Sequence, residues 1–163
     1  MTQKITPFLW FDNNAEEAAA FYTSIFNEAA IGAAANYEGD AGEKVGQPKG
    51  SVMVVNFEIA GQKFTALNGG PKYKFNESIS FVIDCKDQDE VDYYWSRLTA
   101  DGGEETKCGW VKDKFGLSWQ VVPTVLGSLI GGPDKEGSQR AIQAMLEMQK
   151  LDIQKLQDAY DGK

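Results

Sequence analysis

Two hydrophobic periodicities alternate along the first part of the chain. Residues 5–11 form a short apolar and aromatic run of strand length, and residues 12–14 (Asp-Asn-Asn) supply turn and N-cap chemistry for a helix. The helix is predicted from Ala15 to about Phe26, because apolar side chains then recur at helical spacing. The predicted apolar stripe consists of Ala18, Phe21, Tyr22 and Ile25.

Strand-like patterns follow this helix. Residues 29–37 are a weak strand candidate, and the stretch 38–50, rich in Gly, Glu and Lys, is predicted to be an exposed loop. Two β-rich runs, 51–59 and 62–68, flank the dipeptide Ala60-Gly61. Such runs around a two-residue turn containing glycine predict a β-hairpin.

The same order of elements then recurs. A strand is predicted at 78–85, a helix at 87–100, and two further strands at 104–111 and 117–123. The helix is indicated by apolar side chains at helical spacing, namely Val91, Tyr94, Trp95 and Leu98. No GxGxxG motif follows either first strand, which argues against a nucleotide-binding doubly wound sheet.

These patterns predict an α+β protein with a duplicated β-α-β-β-β unit. The two modules are expected at about 5–70 and 78–123, paired within a domain of residues 1–123. Residues 124–163 are predicted to be a helical extension, with one amphipathic helix over 136–159. Its apolar seam would pack on its own domain or across a dimer.

Composition excludes several kinds of catalytic site. The 163 residues include 24 acidic and 16 basic side chains and no histidine, for a net charge of −8. Ser-His-Asp and Cys-His catalysis, zinc sites that need histidine and the 2-His-1-carboxylate iron site are therefore impossible. The acidic excess argues against nucleic acid and anionic membranes as partners, which leaves small molecules or a second copy of the chain.

The sequence also favours a cytoplasmic location. The N-terminus lacks the apolar core of a secretory signal, and no segment approaches the ~18 apolar residues of a membrane span. Cys85 and Cys108 have no paired spacing, so reduced thiols are expected. Both are interpreted as small buried apolar residues.

Negative charge is concentrated in residues 84–105, where eight acidic side chains accompany two basic ones. A calcium site made of carboxylate oxygens is one interpretation, but the spacing does not match an EF-hand loop. A solvated helix face with acidic residues near its N-terminus is the favoured interpretation.

Aromatic residues on the predicted strands allow two interpretations. They either belong to the core or line an apolar pocket together with a few polar groups. The aromatic set is Phe8, Trp10, Phe57, Phe64, Trp110 and Trp119, and the polar set is Thr6, Thr65, Ser80 and Gln120.

Three motifs, in this order, carry a resemblance to a known family. They are ITPFLWFDNNAEEAAAFYTSIF, GQKFTALNGGP and DKFGLSWQVVP, within residues 5–123. Together they resemble the PhnB-like branch of the vicinal-oxygen-chelate superfamily, which includes glyoxalases, bleomycin-resistance proteins and dihydroxybiphenyl (extradiol) dioxygenases. Members of this branch are often labelled 3-demethylubiquinone-9 3-methyltransferase-like.

The resemblance implies paired β-α-β-β-β modules that form an incomplete barrel around a cleft, usually in a homodimer. In metal-dependent relatives, His, Glu and sometimes Gln side chains on the strands hold a divalent ion. The corresponding positions here are Thr6 or Pro7, Ser78 or Ser80, Thr65 and Gln120. Because hydroxyl and amide oxygens are weak neutral ligands, no metal and no other cofactor is expected.

The resulting hypothesis is a metal-free protein that binds a small molecule of unknown identity. The expected ligand-binding residues are Thr6, Phe8, Trp10, Thr65, Ser80, Trp110 and Gln120. The alternative is an enzyme of the same family, either 3-demethylubiquinone-9 3-methyltransferase-like or a glyoxalase-type lyase. No catalytic residue is assigned, although Glu58 is the strand-borne carboxylate to examine first. A homodimer is expected in either case.

Overall fold

The computed structural model describes residues 3–163, which form two compact units that divide after Lys74. Residues 1 and 2, where the predicted first domain begins, lie outside the described residues. Each unit contains a four-stranded sheet built from the same order of strands and helix. The predicted α+β class with a duplicated β-α-β-β-β unit is confirmed, and the division of the chain at residue 123 stays a prediction.

The first unit has one helix and four strands. They are β1 (Phe8–Phe11), α1 (Ala15–Ile25), β2 (Ala29–Asn36), β3 (Val52–Ile59) and β4 (Gln62–Asn68). The sheet order is β1-β4-β3-β2, in which β1 runs parallel to β4 and the other neighbours are antiparallel. The helix and the hairpin lie within a residue of their predicted bounds, while β1 begins later than the predicted residue 5.

One face of this sheet packs against α1. Ala18, Tyr22 and Ile25 of the predicted stripe are buried, whereas Phe21 is half-buried. The ring of Tyr22 stacks on Phe57 with 5.7 Å between ring centroids. Because successive side chains of a strand point to opposite faces, the alternate residues of β3 and β4 are left on the other side of the sheet. We call that side the open face.

Asn68 at the end of β4 holds the start of α1. Its Oδ1 accepts the Ala15 backbone N–H at 2.8 Å, and its Nδ2 donates to a Glu16 carboxylate oxygen at 2.7 Å and to the Val52 carbonyl at 2.9 Å. The side chain of Asn14, at the N-cap, makes no capping bond. A residue from a distant strand therefore supplies the cap that local sequence would ordinarily provide.

The second unit repeats the arrangement. Its elements are β5 (Ser80–Cys85), α2 (Gln88–Thr99), β6 (Glu104–Glu105), β7 (Trp110–Lys112) and β8 (Ser118–Pro123), in sheet order β5-β8-β7-β6. The predicted strand 104–111 is divided by a turn, in which Cys108 and Gly109 have φ values of 58° and 83°. These left-handed conformations cannot continue a strand.

Three helices follow β8 within the second unit: α3 (Leu126–Ile130), α4 (Lys135–Glu147) and α5 (Ile153–Asp161). They enclose a small hydrophobic cluster that includes Leu126, Leu129 and Leu156, and Val122 of β8 packs against it. The prediction of one helix over 136–159 is wrong. We call helices α3–α5 and their connections the C-terminal extension.

Tertiary hydrogen bonds explain the break between α4 and α5. The backbone N–H groups of Cys108 and Gly109 donate to the carbonyls of Met148 and Gln149, each at 2.8 Å. The Gln88 side chain donates to the Leu151 carbonyl at 3.1 Å and accepts the N–H of Ile153 at 2.9 Å. Helical periodicity predicted continuity here, but these bonds need an extended segment.

Within residues 3–163, no helix combines the length and the apolar character needed to cross a membrane.

Leu151 anchors the extension to the turn before β7, since it is 0% exposed and a Cβ placed on Gly109 would lie 3.0 Å from its Cδ1. We expect Leu151→Ala to lower the free energy of unfolding by about 2–5 kcal/mol, because it leaves a cavity. The matched control Leu146→Ala, at a residue 51% exposed, should change it by less than about 1 kcal/mol. Urea denaturation measures both, and equal losses would contradict the anchoring role.

Candidate functional site

Strand register shows which positions of the two units are equivalent. Phe8 pairs with Thr65, three residues before the last pair of β1 with β4. Val82 pairs with Gln120, likewise three residues before the last pair of β5 with β8. Thr65 and Gln120 therefore occupy the same place in the repeat, as do Phe8 and Val82.

The same register can be extended to the start of each first strand, where Thr6 or Pro7 and Ser78 or Ser80 were the alternative positions. Thr6 precedes Phe8 by two residues, and Ser80 precedes Val82 by two residues. Thr6 and Ser80 are therefore equivalent positions of the repeat. Pro7 precedes Phe8 by one residue and Ser78 precedes Val82 by four, so neither is equivalent to the alternatives in the other unit.

The open face of the first unit contains a groove of about 400 Å³. Thr6 and Thr65, two of the predicted ligand-binding residues, both line it. Ala30 and Gly32 of β2 also line it, and their small or missing side chains leave space above the sheet. The lining residues are Thr6, Ala30, Gly32, Asn56, Phe57, Glu58, Lys63, Phe64 and Thr65.

Polar groups lie side by side in this groove. Thr65 Oγ1 donates to Asn56 Oδ1 at 2.8 Å, which leaves the Asn56 amide nitrogen available as a donor. Glu58 and Lys63 are directly opposite each other in the β3–β4 register. Neither side chain has an ion-pair partner within residues 3–163. The groove therefore offers neutral hydrogen-bonding groups beside one negative and one positive charge.

Phe8 and Trp10 lie on β1 outside this lining. Phe8 is 61% exposed beside Thr65. Trp10 Nε1 donates to the Gly70 carbonyl at 2.9 Å, and a Cβ on Gly69 would overlap the Trp10 ring. The Trp10 ring thus packs on the turn after β4, and a side chain at residue 69 would collide with it.

The second unit brings three other predicted residues together. Gln120 Nε2 donates to Ser80 Oγ at 2.9 Å, and Trp110 is the direct cross-strand neighbour of Gln120. Val82, which is 55% exposed, flanks Gln120 on the opposite side. These side chains form a neutral patch on the open face of the second sheet.

Trp119 does not belong to that patch. It is 2% exposed, and its Nε1 donates to Asp113 Oδ2 at 2.9 Å. The other Asp113 oxygen accepts the backbone N–H groups of Phe115 and Leu117 at 2.9 and 3.1 Å. Residue 119 follows the strand alternation onto the buried face, so Trp119 takes the core position, one of the two interpretations of the strand aromatics.

Comparisons with known proteins place this geometry in a family. A family model described as 3-demethylubiquinone-9 3-methyltransferase matches residues 3–122, most of the chain. The chain belongs to this family. No curated protein matches the chain. The family match ends just before the C-terminal extension.

Solved structures support the assignment. A PhnB protein from Bacillus cereus, named as a candidate 3-demethylubiquinone-9 3-methyltransferase, is 30% identical, with a TM-score of 0.64 over 75% of this chain and 100% of that chain. The Pseudomonas aeruginosa protein PA1353 is 19% identical, with a TM-score of 0.58 over 75% of this chain and 98% of that chain. A fosfomycin resistance protein, FosX, from Listeria monocytogenes is 16% identical, with a TM-score of 0.52 over 76% and 93%. The resemblance to the vicinal-oxygen-chelate superfamily is confirmed.

The side chains present do not fit the divalent ion that this superfamily implies. Thr6, Thr65, Ser80 and Gln120 are all neutral, and two hydrogen bonds already engage three of them. Among the described residues, no three His, Cys, Asp or Glu side chains come together as a ligand set. In either unit taken by itself, a divalent ion on these oxygens would have no negatively charged ligand among them.

Several groove residues escaped sequence reasoning. Asn56 and Lys63 were not identified, although the alternation in VMVVNFEI places Asn56 and Glu58 on the face opposite the apolar Val55 and Phe57. That signal was present in the sequence. The open space over Ala30 had no such signal, since it depends on how β2 pairs with β3.

The cysteines supply no nucleophile to either patch. Burial, with the nearby carboxylates of Glu90 and Asp84 adding to it, raises the pKa of the Cys85 thiol to about 12. Cys108 is half-exposed in the turn between β6 and β7. Only Cys108 is therefore accessible to reagents.

We expect a disulfide reagent at pH 8 to label one thiol per folded chain. With its pKa near 12, the Cys85 thiol is ionised in roughly one molecule in ten thousand at that pH. Cys108→Ser should abolish rapid labelling, and unfolding the variant in guanidinium should restore one equivalent. Rapid labelling of the folded variant would contradict the burial of Cys85.

Proposed function

We propose that this protein binds a small molecule without a catalytic metal, and that the groove of the first unit is its binding surface. The observation that carries the proposal is the convergence of Thr6, Thr65 and Asn56 on one open space of about 400 Å³. Ligand pockets commonly combine apolar walls with a few polar groups, and their volumes begin near ~300 Å³.

The neutral patch of the second unit is, by itself, a separate contact surface in this proposal. Trp110 offers a flat apolar ring, and the Gln120 carbonyl oxygen is free to accept a hydrogen bond, since the amide nitrogen of the same residue donates to Ser80. Phe8 and Val82 supply exposed apolar area at equivalent positions. Trp10 would act indirectly, by holding the turn after β4.

The neutral donor set supports a metal-free mode of binding. Without histidine or a carboxylate at the four equivalent positions, recognition would rest on hydrogen bonds and apolar contact. FosX is described as a fosfomycin resistance protein, and its likeness to this chain concerns the fold alone.

A second candidate is an enzyme of the same family, and the position of Glu58 favours it. A half-buried carboxylate beside a groove is suited to act as a general base. The family description suggests methyl transfer, but neither sheet resembles the parallel, glycine-loop architecture of common S-adenosylmethionine enzymes. A radiolabelled methyl-transfer assay tests the methyltransferase form of this candidate, because a binding protein transfers no label.

We also propose that the protein acts as a cytoplasmic homodimer. The apolar side chains of Ile5, Phe8, Ile79 and Val82 are exposed on the chain by itself, as is common for surfaces that pack against a partner. Light scattering on the purified protein measures the assembly, and a monomer at all concentrations would exclude this proposal.

The groove can be tested by filling it. We expect Ala30→Trp to remove the binding of small aromatic fragments, since an indole on β2 would occupy the open space. Fragments of neutral, cationic and anionic type should be screened by saturation-transfer NMR. Any fragment bound by the unaltered chain should bind at least about tenfold more weakly to the variant.

Ala35→Trp is the matched control, because Ala35 lies on the same exposed strand and outside the groove lining. It should retain the fragment profile of the unaltered chain. If Ala30→Trp also retains that profile, the groove is not the binding surface.

A further inference from the structure

We infer that the ligand of the groove carries a protonated amine, which Glu58 holds; the inference rests on the proposed binding function. Glu58 is a half-buried residue of β3. Its direct neighbours are Ala30 on β2 and Lys63 on β4. The two flanks of the carboxylate therefore differ, with a methyl group on one side and a long cationic side chain on the other.

On the side of Glu58 that faces Ala30, a second cavity lies next to the groove. This cavity has a volume of about 270 Å³ and is lined by Glu28, Ala29, Ala30, Glu58 and Gly61. Ala30 and Glu58 line both spaces, so these two residues lie where the spaces adjoin. A ligand whose body occupies the groove can place one end group against Glu58.

Charge selects the chemistry of that end group. The ionisable side chains around the second cavity are Glu28 and Glu58, both negative. Within the described part of the chain, the Glu58 side chain has neither a hydrogen-bond nor an ion-pair partner. A half-buried carboxylate loses part of its hydration, and an incoming ammonium group would replace it with a charge-assisted hydrogen bond.

The body of the ligand meets a different environment. Thr65, Asn56 and Thr6 are neutral and polar, so they suit hydroxyl, carbonyl or amide groups. The ligand class is therefore a small organic amine with a neutral body, of a size that fits about 400 Å³.

The charge of Lys63 predicts the direction in which amine binding changes when that charge is removed. Directly opposed side chains on antiparallel strands lie within reach of each other, so the Lys63 ammonium competes with a ligand amine for Glu58. Removing the Lys63 charge should leave amine binding unchanged or make it tighter. A ligand held instead through an anionic group would respond in the opposite direction.

The test compares benzylamine with benzyl alcohol, which have similar shapes and differ in charge. Each is titrated into the full-length ¹⁵N-labelled protein at pH 7, and the amide signals of Ala30, Asn56 and Thr65 are followed. We expect benzylamine to shift these signals saturably and benzyl alcohol to bind about tenfold more weakly or worse. Equal affinity for both probes, or no shift with benzylamine, would overturn the inference.

Two charge variants complete the experiment. Glu58→Gln keeps the shape of the side chain and should weaken benzylamine binding about tenfold or more, as expected for the loss of a charge-assisted hydrogen bond. Lys63→Gln is the matched control on the opposing strand, and it should bind benzylamine at least as tightly as the unaltered chain. Unchanged binding by Glu58→Gln, or weaker binding by Lys63→Gln, overturns the inference.

The experiments distinguish failure of the amine requirement from failure of binding in the groove. If neutral or anionic fragments bind in the groove and are removed by Ala30→Trp while benzylamine has no advantage, the binding function stands and the amine requirement falls. If Ala30→Trp changes nothing for any fragment, the groove itself is excluded.

Discussion

The pairing register of β3 with β4 decides which side chains of the first unit pack inside and which face the groove. Val55, Phe57 and Phe64 are buried on the face toward α1, so the alternate residues Asn56 and Thr65 must lie on the open face. A slip of one residue would exchange the two faces completely. The cost of exposing three apolar side chains makes such a slip unfavourable, and the candidate site inherits its geometry from that constraint.

The second unit obeys the same rule with different side chains. Val121 and Trp119 are buried, which places Gln120 outward beside Trp110. The repeat thus preserves positions while the chemistry at those positions diverges. In the first unit the outward position is Thr65, whose groove also contains the charges of Glu58 and Lys63. In the second unit it is Gln120, whose amide lies beside the indole ring of Trp110. We attribute binding to the first unit because its small β2 residues leave an open volume.

The C-terminal extension follows the family domain and packs against other elements of the second unit. Its cluster packs on Val122, and its extended segment bonds to the turn that precedes Trp110. Lys150 also approaches Asp92 of α2, with 2.6 Å between Nζ and Oδ1. The backbone of that turn is therefore held by residues that lie outside the part of the chain matched to the family.

Much of the fold could be predicted from the sequence because helix and strand periodicities are local. The α1 stripe and the hairpin around Gly61 follow directly from residue spacing and turn chemistry. The break at 148–152 could not be predicted, since it depends on hydrogen bonds to Gln88 and to the turn at 108–109. Ile79 falls inside the predicted strand 78–85, yet it lies before the start of β5 and is exposed.

The site was predictable to the extent that strand parity determines it. Thr6 and Thr65 were identified and share the groove; strand alternation also marks Asn56 as outward-facing, whereas no motif marks Lys63. Residue type alone could not decide between core and pocket for Trp119, because the face of the sheet it occupies depends on strand pairing. The open volume over Ala30 is a property of three packed strands and has no counterpart in any single segment.

The most direct test of metal-free binding in the groove is a crystal structure from crystals grown with Mn²⁺ and soaked with aromatic amines and alcohols, with anomalous data at the manganese edge. We expect organic density in the groove against Thr65, Asn56 and Glu58, and no anomalous peak on Thr65 or Gln120. A manganese peak coordinated by these side chains, or fragments ordered only outside the groove, would contradict the central claim.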